Sequence, residues 1–597
     1  MYRYLSLIWD VTNPLAAATA LDLAQRFQKQ MPGWQRVFKG GGCEAYHAGV
    51  RKNSSVTYSV ARDSGVVFGK LFSCDPYGEP HVSAEHSLPP DLRENILQDY
   101  WGRYVALFHD RATHTTRFLR DPTGSLPCLI AQYQQVVLVF SDIADCLKLG
   151  LTDFTVNWSY IAAASHRVPA APGLTGLREV SELQPGEVIM IRNGRQSRQF
   201  AWSMEDIAQR DPITDPEIAA ISLRRAVKTS VHAWASTYDG VLHMLSGGLD
   251  SSIVLSCIAD APKAPALSCL NYFGLGRNED ERHLARLAAE KYSAKLIEHQ
   301  LRPDTVDLEL LYKLHPSALP SSYQHEIEHG TFEAALAEQH GASAIFSGAG
   351  GDAIFYGVRT ELSVADYLVD QGLRPSLFSV AADAAYATGF SLWKLLWKAV
   401  QLRYAPRSAP LSGHARVPSL LLDTARMRGL NRELDVTRPR RAEQRLPPGK
   451  QWHVESLRAQ PFFYDALGRD DLPERTFPLL SQPLIEVCLR IPTYTLTHGG
   501  IDRALARIAF NQDLPSEIIT RYDKGNIEQH VRAVMDRWLN FAREFLLDGC
   551  LVKEGLLDRA RLEEYLSGQR QPDDSEYNEI LHTHLGTEAW LRRWIAC

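Results

Sequence analysis

The run VLHMLSGGLDSSIVLSC at positions 241–257 constrains this chain more than any other segment. An apolar stretch ends at Leu245, two glycines follow, and a second apolar stretch begins soon after, so the pattern reads as strand, tight turn and helix. Gly247 and Gly248 carry no Cβ, which lets the backbone turn sharply and come close to a ligand. The first N–H groups of the following helix lack partners and carry partial positive charge. Ser246, Ser251 and Ser252 add hydroxyl donors, and together these groups make a cradle for pyrophosphate oxygens. No Gly-Lys-Ser/Thr follows, so this is not a Walker A loop. Asp250 places a carboxylate inside an anion cradle, which makes sense if it holds a Mg²⁺ that bridges the phosphates.

A second motif, FSGAGGDAIFYG at 346–357, again follows an apolar run and precedes a helix. Gly348 and Gly351 permit close backbone approach, and Asp352 offers a second carboxylate for the metal. A third stretch contains PLLSQPLIEVCLRIP, GGIDRALARIAF and LPSEIITRYDKGN. Lys524 stands there in a Lys-Gly-Asn turn after Arg521, where a cation could stabilise charge developing at an acyl-adenylate.

At 597 residues the chain has room for about three to five structural units, or fewer large ones. Short runs rich in β-branched and aromatic residues fill the first part, at 104–108, 116–119, 136–140 and 188–191, and predict an α+β domain built on antiparallel sheet. Prolines at 212 and 216 mark a linker near 211–215. Beyond it VLHML, APALSCLNYF and ASAIFSG alternate with helical stretches, which predicts a parallel sheet with helices on both faces. From about 360 onward the pattern is mainly helical. The expected domains are 1–205 and 216–597.

Segment 403–450 holds 11 Lys/Arg against 4 Asp/Glu and reads as a solvated loop or as a basic wall that steers an acidic peptide or ATP. The run SLWKLLWKAV is interrupted by Lys394 and Lys398 and reads as an amphipathic helix against the core. A net charge of −6 gives no global attraction to nucleic acid or anionic membrane. The N-terminus MYRYLSLIWD lacks the pattern of a signal peptide, and no apolar run reaches the ~20 residues of a membrane helix. The 9 cysteines are odd in number and form no CxxC pair, which argues against a disulfide framework or zinc ribbon and for a cytoplasmic setting.

Taken together, SGGLDSS, SGAGGD and the turn at 521–525 resemble the asparagine synthetase superfamily. WGRYVALFHD, RDPTGSLP and LQPGEVIMI resemble the strands and turns of its N-terminal glutaminase domain. The resemblance implies an Ntn-hydrolase-like α+β domain followed by an α/β PP-loop synthetase domain of the adenine nucleotide alpha hydrolase type, with a helical C-terminal part. By the same resemblance, Leu245, Phe273, Ser347 and Gly348 hold adenosine, Asp250 and Asp352 ligate magnesium, and Lys524 steadies acyl transfer. Glu281 falls on an acidic position of the nucleotide domain, and His283, on the same helix, reads as a surface or core residue.

Two departures from the family pattern narrow the expectation. The family's glutaminase nucleophile is an N-terminal cysteine exposed by removal of Met1, whereas position 2 here is Tyr2, whose phenol cannot replace a thiolate. Ala349 stands where amino-acid-forming synthetases carry glutamate and β-lactam synthetases carry tyrosine. The branch these departures resemble is the lasso peptide cyclases. The resemblance implies ATP and Mg²⁺ as cofactors and a precursor peptide as substrate. A side-chain Asp or Glu of that peptide is adenylated and attacked by its N-terminal amine, and a leader peptidase and leader-recognition protein are further partners that the branch allows. The alternative is a ligase that joins a small carboxylic acid to ammonia or an amine.

Overall fold

The structure, a computed structural model, describes residues 2–48, 56–61, 64–74, 87–89, 92–165, 172–274, 276, 279–320, 325–357, 359–404, 446–459, 467–469, 472–521, 525, 527–567 and 580–595. Period-two alternation sets the first architecture. In strand Tyr4–Trp9, Tyr4 and Ile8 point into one core and Leu5 and Leu7 into another, and all four are buried. The strand lies in an antiparallel sheet ordered Val180–Glu182, Leu129–Tyr133, Val136–Phe140, Tyr4–Trp9, Cys43–Ala48 and Trp34–Gly40. A second sheet is ordered Arg195–Phe200, Glu187–Arg192, Thr115–Arg120, Tyr100–Asp110, Gly65–Ser73, Val56–Val60 and Ser87–Leu88. Only its last pair is parallel.

The inner faces meet through Tyr4, Ile8, Val137 and Val139 on one side and Val66, Phe68, Val105 and Leu107 on the other. Helix Pro14–Gln30 covers the outside of the first sheet. Asn13 caps it by accepting from the Leu15 and Ala16 N–H groups, and Leu23 and Phe27 pack on Leu5 and Leu7. Helix Leu92–Asp99 covers the second sheet through Leu92 and Ile96. The result is a helix–sheet–sheet–helix sandwich of the α+β kind. All four runs read from the sequence as strands in this part lie within observed strands.

The second architecture is an all-parallel sheet ordered Lys295–Gln300, Ala266–Phe273, Gly240–Met244, Ala344–Ser347 and Glu474–Thr476. Helices cover both faces, as the strand–helix alternation predicts. On one face Val241, Cys269 and Phe346 pack on helices Pro216–Ala235, Leu249–Ala259 and Arg282–Lys291. On the other, Leu242, Leu270 and Ile345 pack on Thr331–Gln339. Asp215, within the expected linker, caps Pro216–Ala235 through the Glu217 and Ile218 N–H groups. Strand Glu474–Thr476 was not foreseen in the helical C-terminal part.

The helices of that part do not all stay with the parallel sheet. Leu546, Leu551, Leu585, Trp590 and Leu591 share one core with Leu5, Leu7 and Phe27 of the first sheet and its helix. The Trp590 indole N–H donates to the Ser317 carbonyl at 2.8 Å, and Trp594 meets Phe154 edge-to-face. Helix Leu392–Tyr404 lies against a smaller core with Val364, Leu368 and Ala381, as its amphipathic pattern predicts. It buries Leu395 and Ala399 only, and Trp393 and Trp397 are 73% and 65% exposed. Among the described residues seven cysteines are free thiols and Cys550 is disulfide-bonded. No described helix is long and apolar enough to cross a membrane.

A buried ion cluster joins the sandwich to the parallel sheet. Lys70 Nζ lies 2.7 Å from one Glu474 oxygen and Arg103 Nη1 2.8 Å from the other. Burial pulls the Lys70 ammonium down, but Glu474 and Tyr238 outweigh it and hold its pKa above the ordinary lysine value. Burial pushes Glu474 up, but Lys70 and Arg103 outweigh it and hold the carboxyl below its usual range. A carboxyl with a depressed folded pKa contributes stability above its unfolded pKa and loses it as pH falls. Glu474→Gln is therefore expected to cost about 3–5 kcal/mol at neutral pH by leaving buried cations unmatched. Urea unfolding should show this deficit shrinking as pH drops through the carboxylate range.

Candidate active site

In an open parallel sheet, ligands bind beyond the carboxyl ends of the strands, where the strand order reverses. Here the chain runs outward in one direction from Gly240–Met244 to Ala266–Phe273 and Lys295–Gln300, then returns to add Ala344–Ser347 on the other side. The reversal lies between Gly240–Met244 and Ala344–Ser347, and the two glycine-rich motifs leave from these two strands. Topology alone brings together loops about a hundred residues apart in sequence.

The first loop is anchored from below. The Leu245 N–H donates to the Leu270 carbonyl at 2.8 Å, and the Asn271 amide donates to the Leu245 carbonyl at 2.8 Å. Gly247 takes a φ of +86° and is buried. A Cβ there would lie 2.8 Å from the Ala285 nitrogen and 3.2 Å from the Glu281 carbonyl oxygen, so glycine is required both by conformation and by space. Helix Leu249–Ala259 begins after Gly248 with no side-chain cap, the kind of helix end that can receive an anion. Ser246 is exposed and its Oγ lies 3.1 Å from Ser251 Oγ, whereas Ser251 and Ser252 bond back to the Gly248 carbonyl. His243 supports the turn from beneath, its Nε2 2.9 Å from the Ser251 carbonyl. Burial lowers its pKa to about 4, so it acts as a neutral donor.

The second loop presses against the first. A Cβ on Gly348 would lie 2.6 Å from the Ser251 nitrogen, and one on Gly351 would lie 2.2 Å from Asp250 Cγ. Ser347 Oγ accepts from the Ala349 N–H at 3.1 Å, which shapes the turn and leaves Ala349 exposed. Asp250 and Asp352 thereby converge, as the sequence predicts. Among the described residues, the cation that meets both is Arg503. One of its nitrogens, Nη1, lies 2.7 Å from Asp250 Oδ2 and 2.8 Å from Asp352 Oδ1, while Nε holds Asp502 at 2.7 Å. Burial lowers the pKa of this guanidinium, but Asp250, Asp502 and Asp352 outweigh it and raise the value.

Phe273 closes its strand, and the Arg282 guanidinium lies 3.8 Å from its ring centroid. Glu281 gains a role that the sequence left open. It accepts from Arg521 Nη2 at 2.5 Å and from the Gly525 N–H at 2.9 Å, while its backbone abuts Gly247. It therefore ties the first loop to both flanks of the 522–524 segment. Lys524 itself, like most of the basic segment 403–450, lies outside the described residues. At that segment's ends, Arg403 donates to the Leu368 carbonyl and Lys450 is buried with its ammonium on the Ile491 carbonyl, so neither forms a basic wall. His283 pairs with Glu517 and is 71% exposed, a surface residue.

The donor chemistry fits a hard dication held with a nucleotide. Two carboxylate oxygens converge on one point beside an uncapped helix N-terminus, and Mg²⁺ uses one or two carboxylates plus phosphate oxygens. Among the described residues no group of three or more His, Cys, Asp or Glu forms a metal site by itself, so phosphates would complete the shell.

Two glycine-rich turns and two carboxylates meeting at the switch point of a parallel sheet have the arrangement of a nucleotide-binding site. Residues 222–592 match the model of the asparagine synthase family, and the chain belongs to that family. Its members are ATP-dependent ligases that form AMP and pyrophosphate and generally use Mg²⁺. The chain matches no curated protein. Similar solved structures include that of the allosteric regulatory enzyme of purine biosynthesis, with 10% identity, a TM-score of 0.21, and coverage of 58% of this chain and 89% of that one. Another is glutamine phosphoribosylpyrophosphate amidotransferase from B. subtilis complexed with ADP and GMP, with 10% identity, a TM-score of 0.21, and coverage of 58% and 90%.

Gly351→Ala tests the contact between the loops. It should displace the Asp250 carboxylate and weaken magnesium–ATP binding about tenfold or more in calorimetry. The circular dichroism spectrum should stay that of the unaltered protein.

Proposed function

We propose that this chain is an ATP-dependent lasso peptide cyclase. It adenylates a side-chain Asp or Glu of a precursor peptide, and the peptide's N-terminal amine then closes a macrolactam. The observation that carries the adenylation step is the convergence of Asp250 and Asp352 between the two glycine-rich loops. Magnesium bound there with ATP would neutralise charge on the pyrophosphate as it leaves. The chain's own groups orient the nucleotide. The uncapped N–H groups of Leu249–Ala259 and the exposed Ser246 hydroxyl receive phosphate oxygens, Ser251 and Ser252 shape the same turn through the Gly248 carbonyl, and Leu245, Phe273, Ser347 and Gly348 border the adenosine. Glu281 holds Arg521 and Gly525, which flank Lys524 in the sequence, and Lys524 supports the oxyanion of acyl transfer.

Two observations support the peptide substrate over ammonia. Tyr2 is 7% exposed in the core between the two antiparallel sheets, its hydroxyl bonded to Thr57 and its ring beside Phe68 and His47, which fills that part of the sandwich with aromatic bulk. Ala349 is exposed at the mouth of the second loop and leaves room for a bulky substrate. Positioning of amine and acyl carbon within one folded peptide can supply several kcal/mol of the barrier reduction, roughly as effective molarities imply.

The test incubates the chain with ATP, magnesium and a linear precursor peptide. Pyrophosphate release and loss of one water from the peptide by mass spectrometry are the expected results, and both should vanish in Asp250→Ala. Release with aspartate and ammonia but not with any peptide would replace this reading by the small-molecule one.

A further inference from the structure

Arg503 belongs to neither glycine-rich loop. It reaches Asp250 and Asp352 from the Gly-Gly-Ile-Asp-Arg turn that precedes helix Ala504–Ala509. Its backbone has a φ of 52°, in the left-handed region that a residue with a large side chain rarely adopts, and Gly499 and Gly500 just upstream have φ of 82° and 70°. Asp502, also within 3.6 Å of Arg507, holds the guanidinium from behind. The Arg503 side chain is 10% exposed, whereas that of Asp352 is 44% exposed, so the cluster opens to solvent on the Asp352 side. A guanidinium nitrogen 2.7 and 2.8 Å from two carboxylate oxygens occupies the point between them. A dication bound by the same two oxygens cannot share that point.

We infer that Arg503 is the resident counter-ion of the metal site: it excludes free divalent cations from Asp250 and Asp352 and yields to metal only when a nucleotide arrives with it. This rests on the assignment of those two carboxylates to magnesium made above. The reason is charge balance. A bare dication would push the guanidinium off Asp250 and Asp352, leave it with Asp502 alone, and set two cations side by side. A metal–nucleotide complex brings phosphate oxygens, with which a displaced guanidinium forms charge-assisted hydrogen bonds. Arg503 is thus a positioning residue that fixes the order of loading.

Calorimetry on the full chain tests this with Mg²⁺ alone and with magnesium–ATP. The unaltered chain should bind Mg²⁺ alone weakly and magnesium–ATP well. Arg503→Gln should bind Mg²⁺ alone about tenfold tighter and magnesium–ATP more weakly, whereas Arg503→Lys should keep most of the exclusion. Changes of opposite sign separate this role from simple damage, which weakens both. A folded Arg503→Gln with unchanged affinity for Mg²⁺ overturns the inference. If that variant loses its circular dichroism signature, Asp502→Asn, which releases one end of the guanidinium, is read in the same way. Failure of the unaltered chain to bind magnesium–ATP defeats the adenylation reading. Binding of magnesium–ATP with no gain in Mg²⁺ affinity in Arg503→Gln defeats only the counter-ion.

Discussion

Two missing side chains allow the site to exist. At Gly348 and Gly351 a single methyl group would overlap the backbone of Ser251 and the carboxyl of Asp250. Their absence lets the turn after Ala344–Ser347 lie directly on the turn after Gly240–Met244. The parallel pairing of those strands sets the height of both turns, and the reversal of strand order puts them side by side. Below, His243 and Asn271 bond to the carbonyls of Ser251 and Leu245, so the cradle rests on buried polar contacts as well as on packing. Glu281 extends the same unit to Arg521 and Gly525, so segments far apart in sequence meet within one small region.

Much of this was legible in the chain itself. Short-range signals carried it: alternation in the antiparallel strands, apolar runs ending at Leu245 and Phe346, and glycines at the points where backbone comes close to backbone. The paired aspartates could be read because each sits at a fixed offset within its own motif. Arg503 could not, although its segment stood out. Its partners lie 253 and 151 residues away, and nothing local in Gly-Gly-Ile-Asp-Arg says which carboxylates its side chain will meet. The role of Glu281 is hidden for the same reason, because Arg521 and Gly525 lie far along the chain from it. Strand Glu474–Thr476 is three residues long, too short for any periodicity to show, and is held by its pairing with Ala344–Ser347 and by Lys70 and Arg103. On Leu392–Tyr404 the sequence pattern described an amphipathic helix correctly but could not say how narrow its buried stripe would be.

The core that the last helices share with the first sheet bears on how the protein is made. The side chains that seal the outer face of Leu5 and Leu7 include Leu585, Trp590 and Leu591, which lie far downstream in the sequence. During synthesis helix Pro14–Gln30 is available to cover that face well before the downstream segment exists to complete it.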